Sequence, residues 1–190
     1  MYVKRFGWCC GVDEVGRGAL AGPVVAAAVT LRRGIFPKGL RDSKKLSKLK
    51  REQLFEDIKG FADYGIGLST AQEIDGLNIL QASLLAMRRA VNNLKVTPGV
   101  VLVDGIHLPN KLPQFGLAII SGDTIIPAIA ASSIIAKVYR DNLMLKLSVS
   151  YPEYGWDKNA GYGTNHHLMA LKKYGITPEH RCSFSPVYNI

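Results

Sequence analysis

Cysteine is scarce in this chain: three residues in 190, two of them adjacent as Cys9-Cys10. An odd count without Cys-x-x-Cys spacing supports neither a disulfide framework nor a zinc-ligand pair, and the thiols read as buried structural groups in a reducing compartment. Repeats, low-complexity tracts and Ser/Gly linkers are missing, and proline and glycine are scattered at turn-like sites. One domain is therefore expected over residues 1–190. The longest apolar stretch, Phe115 to Ala136, is broken by Ser121-Gly122, Asp123 and Pro127, and so reads poorly as a membrane span. Near the N-terminus Lys4 and Arg5 precede only Gly7 to Val12 before Asp13, Glu14 and Arg17 intervene; the apolar region of a signal peptide is missing. A soluble cytoplasmic protein with no membrane attachment is expected.

What is present is apolar enough to fold and strongly basic. Hydrophobic residues make up 47% and charged residues 21%, with mean hydropathy +0.08, which excludes disorder as the main state. Lys and Arg number 24 against 15 Asp and Glu, a net charge of +9. That excess favours a polyanionic partner, nucleic acid before an anionic membrane. Short Val- and Ala-rich runs predict strands over Gly7 to Val12 and Val24 to Leu31, with others at Tyr64–Ser69, Val100–Val103 and Leu117–Ile120. Helices are predicted over Ser47–Lys59, with Leu49, Leu54 and Ile58 apolar, over Ile79–Leu94, with a Leu80, Leu84, Met87, Val91 stripe, and over Pro127–Val149. The last forty residues are looser. The order implies an α/β fold, a mixed central sheet flanked by helices, with the first two strands joined hairpin-fashion.

Carboxylates stand at the ends of the predicted strands. Asp13-Glu14 ends the first run and Asp104 ends Val100–Val103, at the sheet edge where open α/β sheets bind ligands. Asp123 follows the next run, far enough along for a hairpin-like return to that edge. Alternation along a strand would send Asp13 and Glu14 to opposite faces, so their convergence requires the strand to end there. One Asp alone is most simply a cap or a surface charge. Four acids gathered together repel, and divalent cations relieve the repulsion; hard oxygen donors select Mg²⁺ or Mn²⁺ over zinc. Two such ions about 4 Å apart suit an in-line phosphoryl displacement by water. Setting the four acids aside leaves 24 basic against 11 acidic residues, a negative metal pocket in a positive protein, as a metal-dependent nuclease requires.

The residues that carry this pattern also carry a likeness. Gly11-Val12-Asp13-Glu14-Val15-Gly16-Arg17-Gly18, Asp42-Ser43-Lys44-Lys45-Leu46-Ser47, Val103-Asp104-Gly105, Ala130 to Asp141, Gly161-Tyr162-Gly163-Thr164 and His180-Arg181-Cys182-Ser183-Phe184 occur in one order from about Gly11 to Val187. Over that span the chain closely resembles the bacterial type 2 ribonucleases H, the ribonuclease HII family. The resemblance implies a ribonuclease H-like fold with a helical C-terminal segment. It also implies hydrolysis of RNA in RNA–DNA hybrids and cutting 5′ of ribonucleotides embedded in duplex DNA, leaving 3′-hydroxyl and 5′-phosphate ends. Departures are small: Val15 where alanine is commoner, Ser132-Ser133 where Ala-Ser is usual, and Cys182 where the family varies.

Carried over by position, the family's metal-binding carboxylates fall on Asp13, Glu14, Asp104 and Asp123. Gly16-Arg17-Gly18 matches a loop that contacts the ribose 2′-hydroxyl and adjacent phosphate through its backbone, where absent side chains permit close approach. Tyr162 matches a tyrosine that packs on the neighbouring deoxyribose and hydrogen-bonds at the 2′-hydroxyl. Lys44 matches a residue near the substrate phosphate, with Lys45 able to serve instead. Asp141, four residues after Lys137, is sufficiently explained as its ion-pair partner. His166 and His167, near Tyr162, could assist product release or line the substrate groove, but paired surface histidines usually do neither; His180-Arg181 reads as holding the C-terminal segment or phosphate. The type 3 relatives carry a further N-terminal domain that Met1 to Cys10 is too short to hold, and a monomer is expected. Two rival readings remain: a related acidic-cluster nuclease that cuts all-DNA substrates, and a non-catalytic nucleic-acid-binding module.

Overall fold

The computed structural model describes residues 8–31, 37, 39–40, 46–112 and 114–190. Lys44 and Lys45 lie outside the described residues. Five strands form one sheet: β1 (Cys9–Val15), β2 (Val24–Thr30), β3 (Asp63–Ser69), β4 (Val100–Asp104) and β5 (Phe115–Ile119), in the spatial order β3-β2-β1-β4-β5. β1, β2 and β3 are antiparallel neighbours, whereas β4 runs parallel to β1 and β5 parallel to β4. The mixed sheet and the antiparallel start match the expectation. The second half differs from it: β5 is parallel to β4, so Asp123 reaches the acidic edge because consecutive parallel strands end on the same side, not through a hairpin-like return.

Helices cover both faces. They are α1 (Lys48–Phe61), α2 (Ala71–Leu77), α3 (Ile79–Asn92), the single turn α4 (Gly122–Ile125), α5 (Pro127–Ser150), the short α6 (Trp156–Asn159) and α7 (Asn165–Tyr174). Cys10, Val12, Val24, Ala26 and Ala28 face α2 and α3, while Ala27 and Val29 face α1 and α5. β2, buried along its whole length as VVAAAVT, therefore lacks the polar alternation of a half-exposed strand. Ser47 caps α1, its hydroxyl accepting from Lys50 N at 3.3 Å, and Asn78 caps α3 in the same way. The α3 stripe is core-facing, with Leu84, Met87 and Val91 buried. In α1, Leu54 and Ile58 are buried but Leu49 is exposed, because the helical repeat turns it to the side away from Leu54 and Ile58. Thr70 and Glu73 form a reciprocal capping box that starts α2, a helix too short to show periodicity.

α5 lies close against β1. A methyl group added at Gly11 would stand 2.2 Å from the backbone of Ala128 and Ile129, so only glycine lets helix and strand approach this closely. Pro127 opens the helix at its first turn. Beyond it a third cluster, with Leu20, Ala21, Met144, Tyr154, Trp156 and Leu171, packs the C-terminal segment onto the end of α5. Cys10 is buried, but Cys9 is only half-buried and Cys182 is exposed, so the expectation of buried structural thiols holds for Cys10 alone. Cys182 follows Arg181 on a segment held by Asp75, whose carboxylate accepts from the backbone N–H of Cys182 and Ser183, and its side chain is left outward. Among the described residues no helix is long and apolar enough to cross a membrane.

Candidate active site

The pairing of β1 with β4 stops at Val12↔Val103, whereas β1 stays paired with β2 as far as Val15↔Val25. The strand therefore does not end at Asp13-Glu14, as convergence of the two side chains was expected to require. What ends is its β4 side, and the gap that opens there admits both carboxylates to one cleft. This cleft of about 360 Å³ is lined by Asp13, Glu14, Asp104, Arg51, Ser133, Lys137 and Tyr162, among others. Strands β1 and β4 bring the acids, α1 brings Arg51, α5 brings Ser133 and Lys137, and the turn before α7 brings Tyr162.

Asp13 is 5% exposed. Burial, then the charges of Glu14 and Asp104, push its carboxyl up from 3.8 to about 8, against hydrogen bonds from Ser133 and from the Glu14 N–H at 2.8 Å. Glu14 is also raised, by burial first, with the Arg17 guanidinium acting in the opposite sense through a 3.2 Å ion pair and Asp104 reinforcing the rise. The Oδ1 of Asp104 accepts the Gly122 N–H at 2.7 Å. Asp123, the next residue, is buried in the first turn of α4 and is not among the residues lining the cleft. The structure thus gathers three of the four predicted acids directly, and the fourth is linked to them through the hydrogen bond at Gly122. Among the described residues no three His, Cys, Asp or Glu side chains already stand as a formed metal site. The donor set is nonetheless one of hard oxygens whose mutual repulsion a divalent cation relieves.

Gly16-Arg17-Gly18 lies beside the acids. Gly16 has φ +91°, and a methyl group there would stand 2.1 Å from Arg140 Nε, so both its conformation and its packing require glycine. Arg17 and Gly18 are exposed, and nothing lies within 4 Å of a methyl group built at Gly18; here the missing side chain leaves open backbone. Beneath the loop two buried arginines hold carbonyls. Arg140 donates to Pro23 O at 2.9 Å, Ala21 O at 3.1 Å and Ala160 O at 2.8 Å, while Arg181 donates to Gly22 O and to Arg17 O at 2.8 Å. Burial lowers both guanidinium pKa values, Arg181 to about 9. The Tyr162 ring lies over Arg140, with Cζ 5.6 Å from its centroid.

Other assignments divide. Lys137 pairs with Asp141 at 2.8 Å, as the spacing predicted. Arg181 is fully buried and holds the C-terminal segment rather than phosphate. His166 is exposed, but His167, expected on the surface, is fully buried against Tyr154, Trp156 and His180, because Thr164 starts α7 with that face turned inward. Sequence reasoning left Arg51, Ser133, Arg140 and Lys137 out of the site. A basic residue on an amphipathic helix carries no sign that it overlooks a cleft formed by another element. Lys137 and Arg140 left one trace in common, as basic residues beside the apolar face of the predicted helix.

The family model described as Ribonuclease HII matches residues 10–187. Ribonuclease HII of Desulfitobacterium hafniense (strain DSM 10664 / DCB-2) is 56% identical over 179 residues, spanning 93% of this chain and 68% of that protein. Ribonuclease HII of Cereibacter sphaeroides (strain ATCC 17025 / ATH 2.4.3) is 52% identical over 189 residues, spanning 100% of this chain and 89% of that one. Among solved structures, the ribonuclease H2 from Pyrococcus horikoshii OT3 is similar at TM-score 0.81 and 27% identity, over 96% of each chain.

Proposed function

Since the chain belongs to the ribonuclease HII family and has its ribonuclease H-like fold, it is an endoribonuclease hydrolase of the ribonuclease H class, and we propose that it cuts RNA–DNA duplexes, including the 5′ side of single ribonucleotides embedded in duplex DNA. The products are a 3′-hydroxyl and a 5′-phosphate. The observation that supports this reading best is the cleft in which buried Asp13 meets Glu14 and Asp104, with Tyr162 and two basic side chains on its rim. In this reading the protein is a cytoplasmic monomer and residues 1–190 act as one catalytic domain.

Asp13, Glu14, Asp104 and Asp123 would hold two divalent cations, Mg²⁺ or Mn²⁺. Such ions, when bound, supply charge neutralisation at phosphorus and activation of the attacking water. The chain's own residues do the rest. Asp13 is kept in place by Ser133 and the Glu14 N–H, and Asp104 by the Gly122 N–H. Gly16, Arg17 and Gly18 present backbone to the ribose 2′-hydroxyl, and Tyr162 packs on the adjoining sugar, so a deoxyribose at the cutting position leaves polar groups unmatched. Lys44, Arg51 and Lys137 supply positive charge to phosphates, which adds affinity without sequence preference.

An endonuclease assay on duplex DNA carrying one ribonucleotide tests the proposal, beside an all-DNA duplex, a chelator control and Asp104→Asn. Expected is metal-dependent nicking 5′ of the ribonucleotide, none on all-DNA, and loss of cleavage in Asp104→Asn with duplex binding kept or improved, because a like charge near phosphate is removed. Equal cutting of the all-DNA duplex would assign the chain a DNA nuclease activity instead, and binding without cutting a non-catalytic role.

A further inference from the structure

His167 and His180 are fully buried, outside the cleft, and neither is used by the mechanism above. Their hydrogen bonds admit one arrangement of protons. The Thr177 N–H donates to His180 Nδ1 at 2.9 Å, so the neutral His180 ring carries its proton on Nε2. That Nε2 lies 3.0 Å from His167 Nε2 and donates to it. Trp156 Nε1–H, at 3.2 Å, points at the same nitrogen, which is therefore the acceptor. His167 must then carry its proton on Nδ1, 3.0 Å from the carbonyl oxygen of Tyr162. A directed chain runs from Thr177 through both imidazoles and ends on the backbone of the residue whose ring lines the cleft.

The next residue after His180 does the equivalent for the other sugar-reading element. Arg181 Nη1 donates to Arg17 O at 2.8 Å, and its Nε and Nη2 donate to Gly22 O. His180 itself bridges to Ala21. The dipeptide His180-Arg181 thus reaches Tyr162 in one direction and the Gly16-Arg17-Gly18 loop in the other. We propose that the His167–His180 pair is a positioning relay that sets the Tyr162 backbone, and through it the ring, relative to that loop. The inference rests on the reading of Tyr162 as a substrate contact. A hydrophobic pair of similar volume would fill the same space, but it would leave the Tyr162 carbonyl with only the Thr164 N–H, at 2.8 Å.

The test combines kinetics with direct observation of the protons. ¹⁵N NMR of the unaltered protein should show His167 protonated at Nδ1 and His180 at Nε2; the opposite tautomers would overturn the relay without any variant having to fold. On duplex DNA with one ribonucleotide, His167→Leu should lower kcat/KM about tenfold beyond any loss of folded protein measured by thermal melting. His167→Asn, whose amide can still donate to the Tyr162 carbonyl, should recover most of the loss. Tyr162→Phe should cost less in the His167→Leu background than in the parent, since ring and relay then act as one unit. Effects that multiply independently, or a folded His167→Leu with unchanged kcat/KM, would refute the relay. Full cleavage by Tyr162→Ala would instead overturn the role of Tyr162, and the relay's purpose with it.

Discussion

Replacing Asp13 by asparagine separates the stability of this fold from its chemistry. The Asp13 carboxyl is buried beside Glu14 and Asp104, and its pKa is pushed up to about 8; in an unfolded chain the same group ionises near ~3.9. A raised folded-state value means that the folded protein holds this proton the more tightly. The group's contribution to stability is then fully present below about pH 4 and is lost as the pH rises to about 8. Asparagine has the shape of the protonated acid and never ionises. In chelator, between about pH 5 and about pH 9, the parent should lose stability relative to Asp13→Asn by up to ~4 kcal/mol, at ~1.36 kcal/mol for each of about three pKa units crossed. Water entry and side-chain rearrangement around the ionised carboxylate reduce this to about 2 kcal/mol. With a urea dependence of roughly 2 kcal/mol per molar, the difference in unfolding midpoint changes by about 1–2 M. Urea titrations of both proteins at several pH values measure it, and groups that do not interact with Asp13 cancel. Adding Mg²⁺ should then raise the parent's midpoint and leave that of Asp13→Asn nearly unchanged, with cleavage lost in the variant. A difference independent of pH would refute the burial argument, and equal stabilisation of both proteins by Mg²⁺ would refute a cation on Asp13.

Three further outcomes are expected. Gly11→Ala forces α5 off β1, where the added methyl would stand 2.2 Å from helix backbone; it should cost about 3 kcal/mol by urea unfolding and lower cleavage in the fraction that folds, because Ser133 and Lys137 move with the helix. Arg51→Ala should weaken binding to RNA–DNA duplexes of any sequence and reduce the slope of log affinity against log salt by about one, read by fluorescence anisotropy at several salt concentrations. Acid should weaken the fold through His180, which burial and then His167 hold down at about 4: the unfolded chain takes up its proton first, so stability falls as the pH drops from about 6.5 to about 4, by roughly 2–3 kcal/mol. His180→Gln should show a smaller loss of urea midpoint over the same range.

Much of the site was legible because its signals are local. Asp13-Glu14 and Asp104 follow short apolar runs, and a run that is apolar on both faces identifies a strand covered on both sides. Gly16-Arg17-Gly18 and Gly161-Tyr162-Gly163 are short motifs in which Gly16 and Gly161 stand at a positive φ, Gly18 beside open space, and Gly163 close against Leu20. Illegible features depend on contacts between distant segments. The parallel direction of β5 could not be read from Leu117–Ile120, since a short apolar run has no direction. The inward turn of His167 depends on where Thr164 starts α7, and the burial of Arg181 on carbonyls of residues 17 and 22, more than 150 positions away.

By itself the sequence determined the α/β class, the strand and helix segments long enough to show a period, and the acids and glycines proposed for the chemistry, because each is encoded in the side chains of a few consecutive residues. Only the tertiary structure decided that β4 leaves β1 after Val12, opening a gap into which both Asp13 and Glu14 reach. It alone placed Arg51, Ser133 and Lys137 on that gap, two buried arginines under the loop beside it, and two histidines behind Tyr162. Those placements follow from the close packing of α5 on Gly11 and of the C-terminal segment on residues 17–23, and close packing is a property of surfaces that meet in space, which no single stretch of chain contains.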